Sequence, residues 1–206
     1  MAKILPFKAS GMRPLLREAC SKRQLVRVWR DDLEAGSYCG YVGAVGHEFF
    51  MLWVLGDNLA FDGIHVLRQR DITDIEVPDK HHEFLEKAIA LNGLKPDMPD
   101  SVDLDSVRAV IDSIAALSPV MSLRVDNDNP DETDICYVGR VVAREDDGFS
   151  LQEITPQAEW LREPSFFAWD EISTVCFNDP YATILAKVAG EAPQLDNSDT
   201  GLGHVH

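Results

Sequence analysis

Short strand-like and helix-like stretches alternate along the chain. Gln24 to Arg30 places Leu25, Arg27 and Trp29 on one face and Val26 and Val28 on the other, the two-residue period of a pleated strand. Further strands are predicted over Tyr38 to Val45, over Phe49 to Leu55 (apolar on both faces and hence buried), over Leu59 to Leu67 with an interruption at Asp62-Gly63, and over Asp71 to Val77. Helical spacing brackets this set. Met12 to Cys20 turns Leu15 and Leu16 inward, and after Pro78-Asp79 an apolar stripe runs through Phe84, Leu85, Ala88, Ile89 and Leu91 to a cap at Asn92-Gly93. The order then returns. Leu104, Val107, Ile111, Ile114 and Leu117 keep helical spacing, and strands are predicted over Met121 to Val125, Ile135 to Arg144, Gly148 to Ile154, Ser165 to Trp169 and Ile172 to Phe177. Asp179-Pro180 opens a last helix whose apolar face is Tyr181, Ile184, Leu185 and Val188.

The return is a duplication. Gly40, Val42, Phe50 and Leu52 have the same spacing as Gly139, Val141, Phe149 and Leu151, while Asp71-Ile72 and Ile75 match Glu171-Ile172 and Val175. Phe84, Leu85, Lys87 and Ala88 match Ile184, Leu185, Lys187 and Val188, and Val26-Arg27-Val28 matches Leu123-Arg124-Val125. A register kept through strand, loop and helix marks a repeated unit. Residues 12–93 form the first unit and 103–190 the second, each of a size that can bury its own core. A proline-containing linker, 94–102, joins them, and a tail without periodicity, 191–206, follows.

Charge sharpens this division. The 206 residues carry a formal net charge of -16. Residues 1–100 hold 13 Lys+Arg against 15 Asp+Glu, and residues 101–206 hold 6 against 20. Residues 1–30 hold eight basic residues against Glu18. The acidic second half repels phosphate backbones, which makes DNA an unfavourable partner, and attracts a basic partner, either another protein or this chain's own N-terminus. No apolar run approaches the roughly 20 residues of a membrane span. Lys3 and Lys8 are followed by no apolar signal region, so a cytoplasmic location without membrane contact is expected. Cys20, Cys39, Cys136 and Cys176 form no CxxC pair and are read as buried free thiols.

Gly40-x-Val42, Phe50-x-Leu52 and Asp62-Gly63…Arg68-Gln69-Arg70-Asp71-Ile72 resemble the Sm-like family over residues 12–77 and, more loosely, 103–177. The resemblance implies a mainly β protein with flanking helices. It consists of two tandem Sm-like, five-stranded bent barrels of SH3-like type, each with an N-terminal and a C-terminal helix. The family's RNA-binding residues do not carry over. An Asp and an Asn stand around a Met or other apolar residue in the loop after the second strand of RNA-binding members, where this chain has Val45-Gly46-His47-Glu48-Phe49. Their Ile-Arg-Gly is Leu67-Arg68-Gln69 here and Phe167-Ala168-Trp169 in the second unit.

Candidate chemistry is sparse. There is no Walker lysine and no Gly-x-Ser-x-Gly, and no cofactor or metal is expected. Asp126-Asn127-Asp128-Asn129-Pro130-Asp131 departs from a calcium loop at Pro130 and at Tyr137, where the bidentate glutamate would stand. His81-His82-Glu83 reads as a solvated helix start, and the acids of Asp31-Asp32-Leu33-Glu34 as a solvated turn. Arg68, Gln69 and Arg70, on a barrel rim, are the candidates for binding RNA or a protein partner. The expected function is a non-catalytic binding or assembly module acting through protein contacts at barrel edges, including self-association. The alternatives are an RNA-binding regulator using that rim, or an acidic neutralising partner of a basic protein.

Overall fold

The structure is a computed structural model that describes residues 11–97, 99, 101–126 and 135–195. It is mainly β: ten antiparallel strands in one open sheet, with four helices. The first half runs α1 (Met12–Lys22), β1 (Leu25–Trp29), β2 (Ser37–Val45), β3 (Phe49–Leu55), β4 (Phe61–Arg68), β5 (Asp74–Glu76) and α2 (His82–Leu91). The second repeats it as α3 (Val107–Leu117), β6 (Met121–Val125), β7 (Tyr137–Arg144), β8 (Gly148–Glu153), β9 (Ser165–Ala168), β10 (Ile172–Phe177) and α4 (Pro180–Ala189). Strand order across the sheet is β5-β1-β2-β3-β4-β10-β6-β7-β8-β9. Each half thus places its last strand beside its first, and the halves meet where β4 pairs with β10.

The correspondence between the halves extends to irregular features. The β2–β3 pairing slips between Val42 and Ala44, and the β7–β8 pairing slips between Val141 and Ala143. A Cβ on Gly40 would lie 2.1 Å from the Trp53 carbonyl oxygen, and one on Gly139 would lie 2.2 Å from that of Gln152. Glycine at both places lets the bent strand meet its neighbour's backbone. A single 3-10 turn follows β4 (Gln69–Asp71) and β9 (Trp169–Glu171), which shortens the predicted fifth strand to Asp74–Glu76.

Two large cores explain the double-faced apolar pattern of β3. Phe50 and Leu52, with Leu67, pack against Met12, Leu16 and Ala19 of α1. Phe49 and Met51, with Ile64 and Val66, face the other way and join Val110, Ile111 and Ile114 of α3. This second core also holds Leu123, Leu151 and Val175, so it draws on both halves of the chain.

Several expectations change. Leu104 precedes α3, whose N-cap is Ser106, and is buried against the first half. Phe84 and Leu91 of α2 and Tyr181, Ile184 and Val188 of α4 are exposed; Leu85, Ile89, Ala182 and Leu185 carry the burial instead. All four cysteines are free, but only Cys39 and Cys176 are buried, while Cys136 is exposed. The tail residues up to 195 are partly anchored: Trp160 Nε1 donates to Gly190 O at 3.1 Å and Arg140 Nη2 to Pro193 O at 3.2 Å. The calcium-like loop beyond Asp126 and the tail from 196 lie outside the described residues.

Candidate functional site: the junction of the two halves

The seam is a strand pair with apolar backing. Ile64 faces Phe177, Val66 faces Val175 and Leu67 faces Thr174. A latch beside it comes from the residues leading into α3. Glu48 N and Phe49 N donate to Leu104 O at 3.3 and 3.0 Å, and His47 N donates to Asp105 Oδ1 at 2.8 Å. Gly46 allows this approach, since a Cβ there would come 2.3 Å from that of Leu104.

The three rim residues have different surroundings. Arg68 ends β4 and is buried, with Nε 2.6 Å from Asp71 Oδ2, Nη2 2.8 Å from Asp126 Oδ2 and Nη1 3.1 Å from Asp170 O. It therefore ties the first half to the second. Gln69 is also buried; its Nε2 donates to Gly46 O and Phe49 O at 3.0 and 2.9 Å, and its Oε1 accepts from Arg13 Nε at 3.1 Å. Arg70 alone reaches solvent, its side chain 66% exposed and 3.7 Å from Asp71.

These residues line a cleft of about 770 Å³ between the halves, together with Val107, Trp169, Asp170 and Ile172 of the second. That volume falls in the range of about 300–1,000 Å³ usual for small-molecule sites, which favour such junctions. Arg13 stands at its edge and also donates to His47 O. Trp169 is stacked on Phe149, ring centroids 5.0 Å apart, and the Arg108 guanidinium lies 5.6 Å from its ring centre.

Behind the seam lies a buried polar cluster. Arg30 is 1% exposed; its Nε donates to Glu34 Oε1 at 2.7 Å, Nη1 to Ser173 O at 3.0 Å and Nη2 to Thr174 Oγ1 at 2.7 Å. Glu34 Oε2 accepts from Tyr38 Oη at 2.5 Å and Arg124 Nη1 at 3.2 Å. The expected solvated turn is wrong for Glu34, because two guanidinium groups and a phenol replace water around it. Burial, and then the charge of Glu34, push the Tyr38 hydroxyl above its ordinary pKa. Burial, followed by the Arg124 and Arg30 charges, lowers His65 from 6.5 to about 3, and its Nδ1 has no hydrogen-bond partner among the described residues.

Elsewhere, buried Asp79 accepts from Arg27 Nε at 2.7 Å and lies 3.7 Å from Cys39 Sγ. Burial and then this carboxylate raise the Cys39 thiol to about 12, which keeps it a thiol. His82 Nδ1 accepts from Leu25 N at 3.3 Å, tying the start of α2 to β1. Among the described residues no group of three or more His, Cys, Asp or Glu side chains could hold a metal ion, and no helix is long and apolar enough to cross a membrane.

Sequence reasoning singled out Arg68, Gln69 and Arg70, together with the basic N-terminal segment that holds Arg13, and gave no role to Trp169, Arg30 or Arg124. The signal of the two arginines is weak, a lone arginine next to or inside a strand-like apolar stretch, and Trp169 reads only as the end of a predicted strand. Compared with known proteins, the chain matches no family model, no curated protein and no solved structure.

Proposed function

We propose that the chain is a non-catalytic binding and assembly module, a tandem of two Sm-like barrels acting through protein contacts at their strand edges. One observation carries this reading: the β4 edge of the first half is already occupied by β10 of the second, which leaves β9 and β5 as the ends of the sheet among the described residues. By the 100-residue correspondence, β9 stands where β4 stands and β5 where β10 stands. Phe166 of β9 takes the position of Val66, yet it is 48% exposed where Val66 is 0%. Unpaired strand edges are templates for another chain. A second copy offering β5 to β9 repeats the internal seam, with Ile75 opposite Phe166 as Val175 is opposite Val66. Rotation that closes gives a ring, and rotation that does not gives a filament.

The exposed stripe of Tyr181, Ile184 and Val188 on α4 adds support for contact with protein, because apolar side chains clustered on one helix face mark interaction surfaces. The rim 68–70 gives the RNA alternative little charge, since Arg68 is committed to Asp71 and Asp126. Light scattering after size exclusion tests self-assembly. The expected result is a mass that rises with concentration in multiples of 23.0 kDa, and a return to the monomer in Phe166→Lys. A monomer at every concentration removes self-assembly, and an oligomer indifferent to Phe166→Lys removes the β9 edge.

A further inference from the structure

The cleft at the junction has a use that edge pairing does not absorb. Its walls are Phe49, Val107, Trp169 and Ile172, with Pro14 at one lip. Two guanidinium groups, Arg13 and Arg70, also line it, and among the described residues neither is held by a carboxylate at hydrogen-bonding distance. Arg13 spends its hydrogen bonds on neutral acceptors, Gln69 Oε1 and His47 O. Arg70 has Asp71 at 3.7 Å, but that carboxylate already holds Arg68 at 2.6 Å and stands 3.9 Å from Arg30. Elsewhere in this acidic chain, Arg27, Arg30, Arg68, Arg124 and Arg144 each sit against a carboxylate.

We propose that the cleft binds a small monoanion with a flat apolar body, an aromatic carboxylate. Its carboxylate pairs with Arg70 and Arg13, and its ring lies against Phe49, Val107 and Ile172, with Trp169 beside it. The planar fork of arginine matches a carboxylate. Trp169 is fixed by its stacking on Phe149 and by the Arg108 guanidinium over its ring, so the ligand meets a positioned indole. Glu48 and Asp170 also line the cleft, and their charges set the limit on the ligand. They repel dianions and polyanions, so a phosphate ester or a nucleic acid fits poorly where a single negative charge fits well. The apolar lining of Phe49, Val107, Trp169 and Ile172 favours the flat body.

The test titrates the full chain with 1-naphthoate and with the neutral 1-naphthalenemethanol, by calorimetry and by tryptophan fluorescence. The expected result is saturable one-to-one binding of the acid, about tenfold weaker for the alcohol. Arg70→Ala, on an exposed side chain, weakens the acid by about tenfold and leaves the alcohol unchanged. Val107→Trp fills the cleft and abolishes both, and the fluorescence change is lost in Trp169→Phe. Any one of three results overturns the proposal: no saturation by the acid, equal binding of acid and alcohol, or equal binding of the acid by the Arg70→Ala protein. Tighter binding of a single-stranded oligonucleotide at the same cleft also overturns it.

Discussion

At the scale of single residues, the most consequential group is Arg30, a charge with 1% exposure that reaches both halves of the chain. Such a group is tolerable only because Glu34, Thr174 and the Ser173 carbonyl satisfy its donors. Glu34→Leu leaves that buried charge with only the Asp71 carboxylate, 3.9 Å away and already held by Arg68, and should cost about 3–5 kcal/mol in urea unfolding. Combining it with Arg30→Met should recover much of the loss, because two apolar side chains leave fewer unsatisfied groups than one charge does. His65 gives a pH dependence of definite sign. Its folded pKa, about 3, lies below the ordinary 6.5, so the neutral form is favoured by folding. Its contribution is fully present above 6.5 and is lost as pH falls from 6.5 toward 3. Stability should therefore drop by about 1.4 kcal/mol per pH unit within that window from this group alone. His65→Gln should flatten that part of a urea-midpoint profile.

The bent second strand of each half is the element that shapes the fold. Gly40 and Gly139 occupy equivalent points, with a neighbouring carbonyl where a Cβ would go. Gly40→Ala and Gly139→Ala should each destabilise by about 1–3 kcal/mol or more, since backbone rather than a mobile side chain must yield. Chemical denaturation of the two variants checks whether the equivalence is energetic as well as geometric. The trailing helices behave differently. Leu185 is buried, and its change to alanine should cost about 2–5 kcal/mol, whereas Ile184→Ser on the same helix should stay within about 0.5 kcal/mol. If the α4 stripe contacts a partner, Ile184→Ser weakens that contact without weakening the fold.

For the whole molecule, the shared core dominates. Phe49, Met51, Ile64 and Val66 belong to the first half by sequence but pack with Ile111, Leu151 and Val175 of the second. The latch onto Leu104 and the Arg68 pairing with Asp126 add polar ties across the same seam. The full chain should therefore unfold in one cooperative transition, coincident by circular dichroism and by tryptophan fluorescence. Residues 103–195 expressed alone should bind a hydrophobic dye and lose a sharp transition, because their core would lack one wall.

Local pattern by itself determined the elements and their repetition. The two-residue period, the matched glycines and the helical stripes depend on neighbours a few positions away, so a linear reading recovers them. Phe49 to Leu55 was legible as doubly buried for the same reason. Only the tertiary structure decided what the second face of that strand meets, because the partner, α3, lies some sixty residues on. It also decided that Arg68 and Gln69 turn inward while Arg70 turns out, since consecutive side chains leaving a strand for a 3-10 turn meet three different surroundings. Glu34 was misread because a carboxylate in a turn is ordinarily hydrated. Arg30, four residues before it, and Arg124, from β6 of the other half, replace that water, and no local pattern encodes the arrival of the second.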